Sequence, residues 1–167
     1  MNRSESPQSA ESAGPQAKGL TDSSKRILVV DDDAGLRQLA AEVLSGSGYQ
    51  TETAEDGAAA WEALQASSYH LLITDHDMPK VSGVELVKKV RSAQMTLPVI
   101  LATGTMPNEE LNRHPWLQLA ATLLKPFTAD ELLGAVKKVL RSAGGSGEQV
   151  EPLPVWRGQP SAQVLWR

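Results

Sequence analysis

Strands and helices alternate through the middle of this 167-residue chain. The pattern predicts an α/β fold: a doubly wound sheet of five parallel strands with helices on both faces. Three observations carry that expectation. Apolar runs of strand length recur at 26–30, 70–74, 98–102 and 120–124, and an alternating run covers 49–54. Between them lie segments whose apolar residues repeat at helical spacing. Apolar strands without polar alternation are buried on both faces, and parallel strands need crossover helices to supply that cover.

Taken in order, the first strand is followed by a helix whose apolar positions are Leu36, Leu39, Ala40, Val43 and Leu44, stopped by Gly46 and Gly48. After the half-exposed second strand, Glu55-Asp56-Gly57 turns the chain into a helix with Ala58, Ala59, Trp61, Ala63 and Leu64. The third strand runs from His70 into Asp75. A loop at 78–83 leads to a helix with Val84, Leu86, Val87 and Val90, and the fourth strand ends in Thr103 and Gly104. In 105–119, Pro107 suits a helix start and Pro115 breaks it, which predicts a short, irregular fourth helix. The fifth strand runs into Lys125-Pro126, and Thr128 caps a last helix through Leu132, Leu133, Val136, Val139 and Leu140.

The two ends read as tails around one domain at 25–142. Residues 1–24 are Ser-, Pro- and Gln-rich with almost no large apolar residue, so they bury too little to offset their ordering entropy. Residues 143–167 open with Gly and Ser and continue with Pro152, Pro154 and Pro160, a flexible tail whose Trp156 and Trp166 are alternatively docking anchors. Residues 1–24 have no signal-peptide core, and no stretch has the roughly 20 apolar residues that span a bilayer. No membrane association is expected. The chain has no cysteine, which excludes disulfides and thiolate metal sites and fits a cytoplasmic location. A net charge of −4 without a basic run offers no footprint for nucleic acid.

The strand ends carry the chemistry. Ile27-Leu28-Val29-Val30 ends in Asp31-Asp32-Asp33, and Leu71-Leu72-Ile73-Thr74 ends in Asp75-His76-Asp77. Right-handed crossovers and a reversal of winding beside the first strand bring these two ends together, so Asp31, Asp32 and Asp75 meet at the carboxyl edge, where α/β sheets bind ligands. Like charges at low dielectric repel, so either some are protonated or a hard cation sits among them. An all-oxygen site with one or two direct carboxylates suits Mg²⁺ and leaves room for phosphate oxygens. Thr103 and Lys125 end two further strands. With Asp75 as nucleophile, a lysine and a hydroxyl complete a site for phosphoryl transfer.

Val-Val-Asp-Asp-Asp, Thr-Asp-His-Asp-Met-Pro, Ala-Thr-Gly and Leu-Lys-Pro-Phe together resemble the marker positions of the receiver domain of two-component response regulators. The resemblance covers about residues 25–142, and the wording is similar to receivers of hybrid histidine kinases. It implies a flavodoxin-like fold with sheet order 2-1-3-4-5, for which a receiver is itself a standard example. It also implies that Asp75 accepts a phosphoryl group from a phosphohistidine of a sensor histidine kinase or phosphotransfer protein. Asp32 then binds Mg²⁺ directly, Asp31 binds it largely through water, and Asp77 offers its backbone carbonyl. Thr103 and Lys125 hold the phosphoryl oxygens. The implied output is altered binding to a downstream protein, without a DNA-binding domain in this chain.

One departure stands out. Receivers often carry an aromatic three residues before the lysine, where this chain has Thr122, so the usual output face is in doubt. The competing reading is a Mg²⁺-dependent small-molecule phosphatase with Asp75 as nucleophile and Asp77 as acid/base, but no insertion is long enough for a substrate cap. His70 reads as a packing or surface residue, His76 as a solvent-exposed loop residue beside the site, His114 as part of a turn, Trp61 as core and Asp33 as a helix cap.

Overall fold

The computed structural model describes residues 25–144. The expectations for 1–24 and 145–167, including Trp156 and Trp166, lie outside the described residues. Strands β1 (Arg26–Val30), β2 (Gln50–Ala54), β3 (Leu71–Asp75), β4 (Val99–Thr103) and β5 (Ala121–Leu124) form one parallel sheet in the order β2-β1-β3-β4-β5. This is the expected doubly wound, flavodoxin-like arrangement. Every residue of β3 and β4 is buried, as central strands covered on both faces must be.

The two-residue period of a strand divides the core. Ile27 and Val29 point to one face, under Leu44 of α1 (Ala34–Gly46) and Leu132 and Val136 of α5 (Ala129–Gly144). Leu28 and Val30 point to the other face, under Ala60 and Leu64 of α2 (Gly57–Ala66) and Val84 and Val87 of α3 (Gly83–Ser92). Two expected core positions differ. Leu39 sits at the margin of the α1 stripe centred on Ala40 and Leu44 and is 36% exposed. In α2, Ala60 rather than Ala58 faces the sheet, because it falls on one side with Gly57 and Leu64. Trp61 is half-buried with the Lys89 ammonium over its ring.

Four helices begin with side-chain caps. Asp33 accepts the Leu36 N–H and Asp56 the Ala59 N–H, while Ser82–Glu85 and Thr128–Glu131 form reciprocal pairs. The short α4 (Asn108–Arg113) has no such cap and buries no residue. A 3-10 turn at Pro115–Leu117 follows it and inserts Leu117 into the core, so the irregular fourth segment is as expected. Gly48 turns the chain into β2 at φ 94°, a conformation glycine adopts at no steric cost.

Register positions the site. Val30 lies opposite Thr74, Asp75 opposite Ala102, and Thr103 opposite Leu124. The residues that end these strands, Asp31, Asp75, Thr103 and Lys125, therefore emerge in a row at the carboxyl edge.

Candidate functional site

At that edge lies an open cleft of about 420 Å³ lined by five aspartates, Asp31, Asp32, Asp33, Asp75 and Asp77, together with Leu36, Gly104, Lys125 and Pro126. Asp31 and Asp75 are buried and Asp32 is exposed, and one carboxylate oxygen from each of the three lies within 4.8 Å of the others. The Lys125 ammonium donates to Asp75 Oδ1 at 2.7 Å and stands 3.6 Å from Asp31 Oδ2. Five carboxylates thus line a cleft with one lysine, which reaches two of them, and such an excess of negative charge suits a cation.

Asp31 has the most distinctive environment in the cluster. Its Oδ1 accepts the Asp33 N–H at 2.8 Å, but its Oδ2 is buried without a hydrogen bond. Burial pushes the Asp31 carboxyl up to about 6, against the pull of the Asp33 N–H and Lys125, and the neighbouring Asp75 and Asp32 push the same way. Desolvation, not like-charge repulsion, is the larger cause. An unsatisfied buried oxygen beside two further carboxylates is a donor set suited to a hard divalent cation.

Local structure holds these groups in place. The Gly83 N–H donates to the His76 carbonyl at 3.1 Å, and α3 begins so close to β3 that a Cβ at Gly83 would overlap the Asp75 carbonyl oxygen and lie 2.8 Å from Leu101 Cδ1. Only glycine fits there. The His76 N–H donates to Ala102 O and the Lys125 N–H to Thr103 O, each at 2.8 Å, so the strand ends are tied to one another as well as to the sheet.

The structure brings Asp31, Asp32, Asp75, Asp77 and Lys125 to one cleft, and Asp33 both lines it and caps α1. Thr103 is buried at the end of β4, but its hydroxyl donates to the Thr105 carbonyl at 2.6 Å, and Gly104 rather than Thr103 lines the cleft. His70 is exposed and accepts the Arg26 N–H through Nδ1, while His114 meets Trp116 edge-on with ring centroids 5.8 Å apart. His76, expected to be solvent-exposed, is instead half-buried, and its Nδ1 lacks a hydrogen-bond partner. Sequence reading missed Gly83 as a close-approach position and missed Arg37, whose Nη1 donates to the Asp31 carbonyl at 2.6 Å. A Ser-Gly pair opening an apolar helix was a legible signal for the first; nothing local marks the second.

A doubly wound parallel sheet with an acid cluster and a lysine at its carboxyl edge defines the class of protein. The chain belongs to the response regulator receiver domain family, which matches residues 27–137. It is 33% identical over 132 residues to the transcriptional regulatory protein CpxR homolog of Haemophilus influenzae, covering 78% of this chain and 56% of that protein. It is 37% identical over 106 residues to the sensor histidine kinase RcsC of Salmonella typhi, covering 64% of this chain and 11% of that one. Among solved structures, the response regulator protein TrrA of Thermotoga maritima, in complex with Mg²⁺-BeF, superposes with a TM-score of 0.62 at 36% identity, covering 69% of this chain and 98% of that one. The chain spans about half the length of the curated regulators it first matches. Among the described residues no helix is long and apolar enough to cross a membrane.

Proposed function

We propose that Asp75 accepts a phosphoryl group, in a Mg²⁺-dependent reaction, from a phosphohistidine on a sensor histidine kinase or phosphotransfer protein, and that the change alters binding to a downstream protein. The observation that carries this reading is the buried Asp75 carboxylate, bonded to Lys125 at 2.7 Å beside the orphaned Asp31 Oδ2. Family membership and the Mg²⁺-BeF complex of the TrrA neighbour support it, beryllium fluoride being a stand-in for a phosphoryl group. A chain without cysteine suits a reducing compartment, and we place it in the cytoplasm on that ground.

Asp31, Asp32 and Asp75 would hold Mg²⁺ through side chains, with Asp77 contributing its backbone carbonyl. Bound there, the ion would neutralise charge on the transferring oxygens. A carboxylate oxygen of Asp75 attacks phosphorus, the new O–P bond forms as the N–P bond breaks, and the departing imidazole nitrogen takes up a proton. Lys125, already on Asp75, balances the negative charge that arrives. Thr103 binds a phosphoryl oxygen only after its hydroxyl leaves Thr105, and that exchange connects occupancy of Asp75 to residues 104–117.

The test is labelling with a small phosphodonor. Asp75→Ala should abolish acid-labile label; label retained in that variant would move the acceptor elsewhere. The output is read at Trp116, which is 46% exposed, in a variant with Trp61, Trp156 and Trp166 replaced by Phe. Beryllium fluoride with Mg²⁺ should change its fluorescence, and no change with Asp75 demonstrably occupied would place the output on another face.

A further inference from the structure

Arg37 stands on the first turn of α1 and meets no carboxylate within ion-pair distance among the described residues. It is half-buried and reaches back across its own loop to the main-chain carbonyl of Asp31, at 2.6 Å. The loop is thereby closed into a ring. The Asp31 side chain accepts the Asp33 N–H, the Asp33 carbonyl accepts the Arg37 N–H at 2.9 Å, and Arg37 returns to Asp31. On the other side, the Asp31 N–H is held by the Ala54 carbonyl at 3.3 Å. Both main-chain groups and one side-chain oxygen of Asp31 are therefore fixed, and Oδ2, the atom without a hydrogen bond, has its direction set by the rest.

From this ring we infer that Arg37 is a positioning residue for the divalent-cation site, acting through the backbone of Asp31. The inference rests on the reading of the acid cluster given above. It goes beyond it in naming a residue that touches neither the cation nor the phosphoryl group. Two effects of the guanidinium oppose each other, and their signs separate them. As a positive charge on the loop that carries Asp31 it weakens cation binding, so its removal by charge alone would tighten Mg²⁺. As a clamp it holds a ligand in place, and loss of such outer support usually costs about 10-fold or more in metal affinity. The short contact to a main-chain oxygen, with no carboxylate partner, points to the clamp.

The experiment is titration of the metal-free full chain with Mg²⁺ by calorimetry for the wild type, Arg37→Met and Arg37→Lys. Arg37→Met should bind Mg²⁺ about 10-fold more weakly, with Arg37→Lys between it and the wild type. Hydrogen exchange of the Asp33 amide, measured in chelator, should quicken in Arg37→Met because the ring that protects it is opened. Tighter or unchanged Mg²⁺ binding in Arg37→Met would overturn the inference. If Arg37→Met does not fold, Arg37→Lys decides, since it keeps the charge but reaches less far than the Nη1–H that meets the Asp31 carbonyl: affinity equal to wild type would overturn the clamp. Failure of the wild type itself to bind Mg²⁺ would instead remove the cation reading on which the inference stands.

Discussion

The two edges of the sheet treat buried charge in opposite ways. At the amino edge, Arg91 extends from the end of α3 and gives its guanidinium to four main-chain carbonyls: Met95 at 2.9 Å, Leu97 at 2.8 Å, Leu117 at 2.8 Å and Gln118 at 3.1 Å. Its charge meets no carboxylate within ion-pair distance among the described residues, and burial alone lowers its pKa. At the carboxyl edge, Asp31 has a buried oxygen that no hydrogen bond reaches, and its carboxyl titrates near 6. Where main-chain carbonyls surround a guanidinium in this way, the charge is structural. Where a buried carboxylate oxygen has only a lysine 3.6 Å away and no hydrogen bond, the donor set is one suited to a cation.

Substitution at each edge should therefore separate stability from ligand binding, and the largest effect belongs to the amino edge. Arg91→Ala strips four carbonyls of a charged donor and unties the loop before β4 from the 3-10 turn. It should lower stability by about 3–4 kcal/mol, less than the sum of four such bonds because water reaches half-buried carbonyls. Urea unfolding measures this, and an unchanged Mg²⁺ affinity in the folded protein would keep the two edges distinct.

Gly83→Ala tests the carboxyl edge where packing and site coincide. The added methyl has no room against the Asp75 carbonyl and Leu101, so α3 must shift, at about 2–3 kcal/mol, and phosphoryl acceptance should fall with it. Full acceptance in a destabilised Gly83→Ala protein would show that α3 does not set the position of Asp75.

Asp31→Asn should do the reverse and stabilise the chelated protein. The unfolded carboxyl ionises near 3.8 and the folded one near 6, so between these values the folded state holds the extra proton. The stability contributed by Asp31 falls as pH rises through that window, and the whole cost is present above about 6. Removing the charge should raise metal-free stability by about 1–2 kcal/mol at pH 7.5 and by little at pH 4, as thermal melts in chelator would show. With saturating Mg²⁺ the order should invert, because the wild type alone keeps its full ligand set. A gain at both pH values would mean that charge burial is not the cause.

The smallest effect is expected at Asp33, which lines the cleft and also caps α1. Asp33→Ala should cost about 1 kcal/mol, the usual value of a lost cap, and leave Asp75 labelling intact. Loss of labelling at full stability would give Asp33 a part in the chemistry.

Much of this was legible along the chain. The alternation of strand and helix follows from period-two and period-3.6 patterns that any local window displays, and the acid, threonine and lysine endings of the strands stand next to those patterns. Caps at Asp33 and Thr128 and the break at Pro115 are equally local, because each acts within one helical turn. The tertiary structure alone decided the rest. That Thr103 donates to Thr105, that Arg37 closes on Asp31 and Arg91 on four carbonyls, and that one oxygen of Asp31 lacks a hydrogen bond depend on register across β1, β3, β4 and β5 and on how the helices pack. A sequence pattern states which face a side chain takes. Whether a particular atom finds a partner there is a matter of ångströms, set by residues up to 50 positions away, as Lys125 is from Asp75.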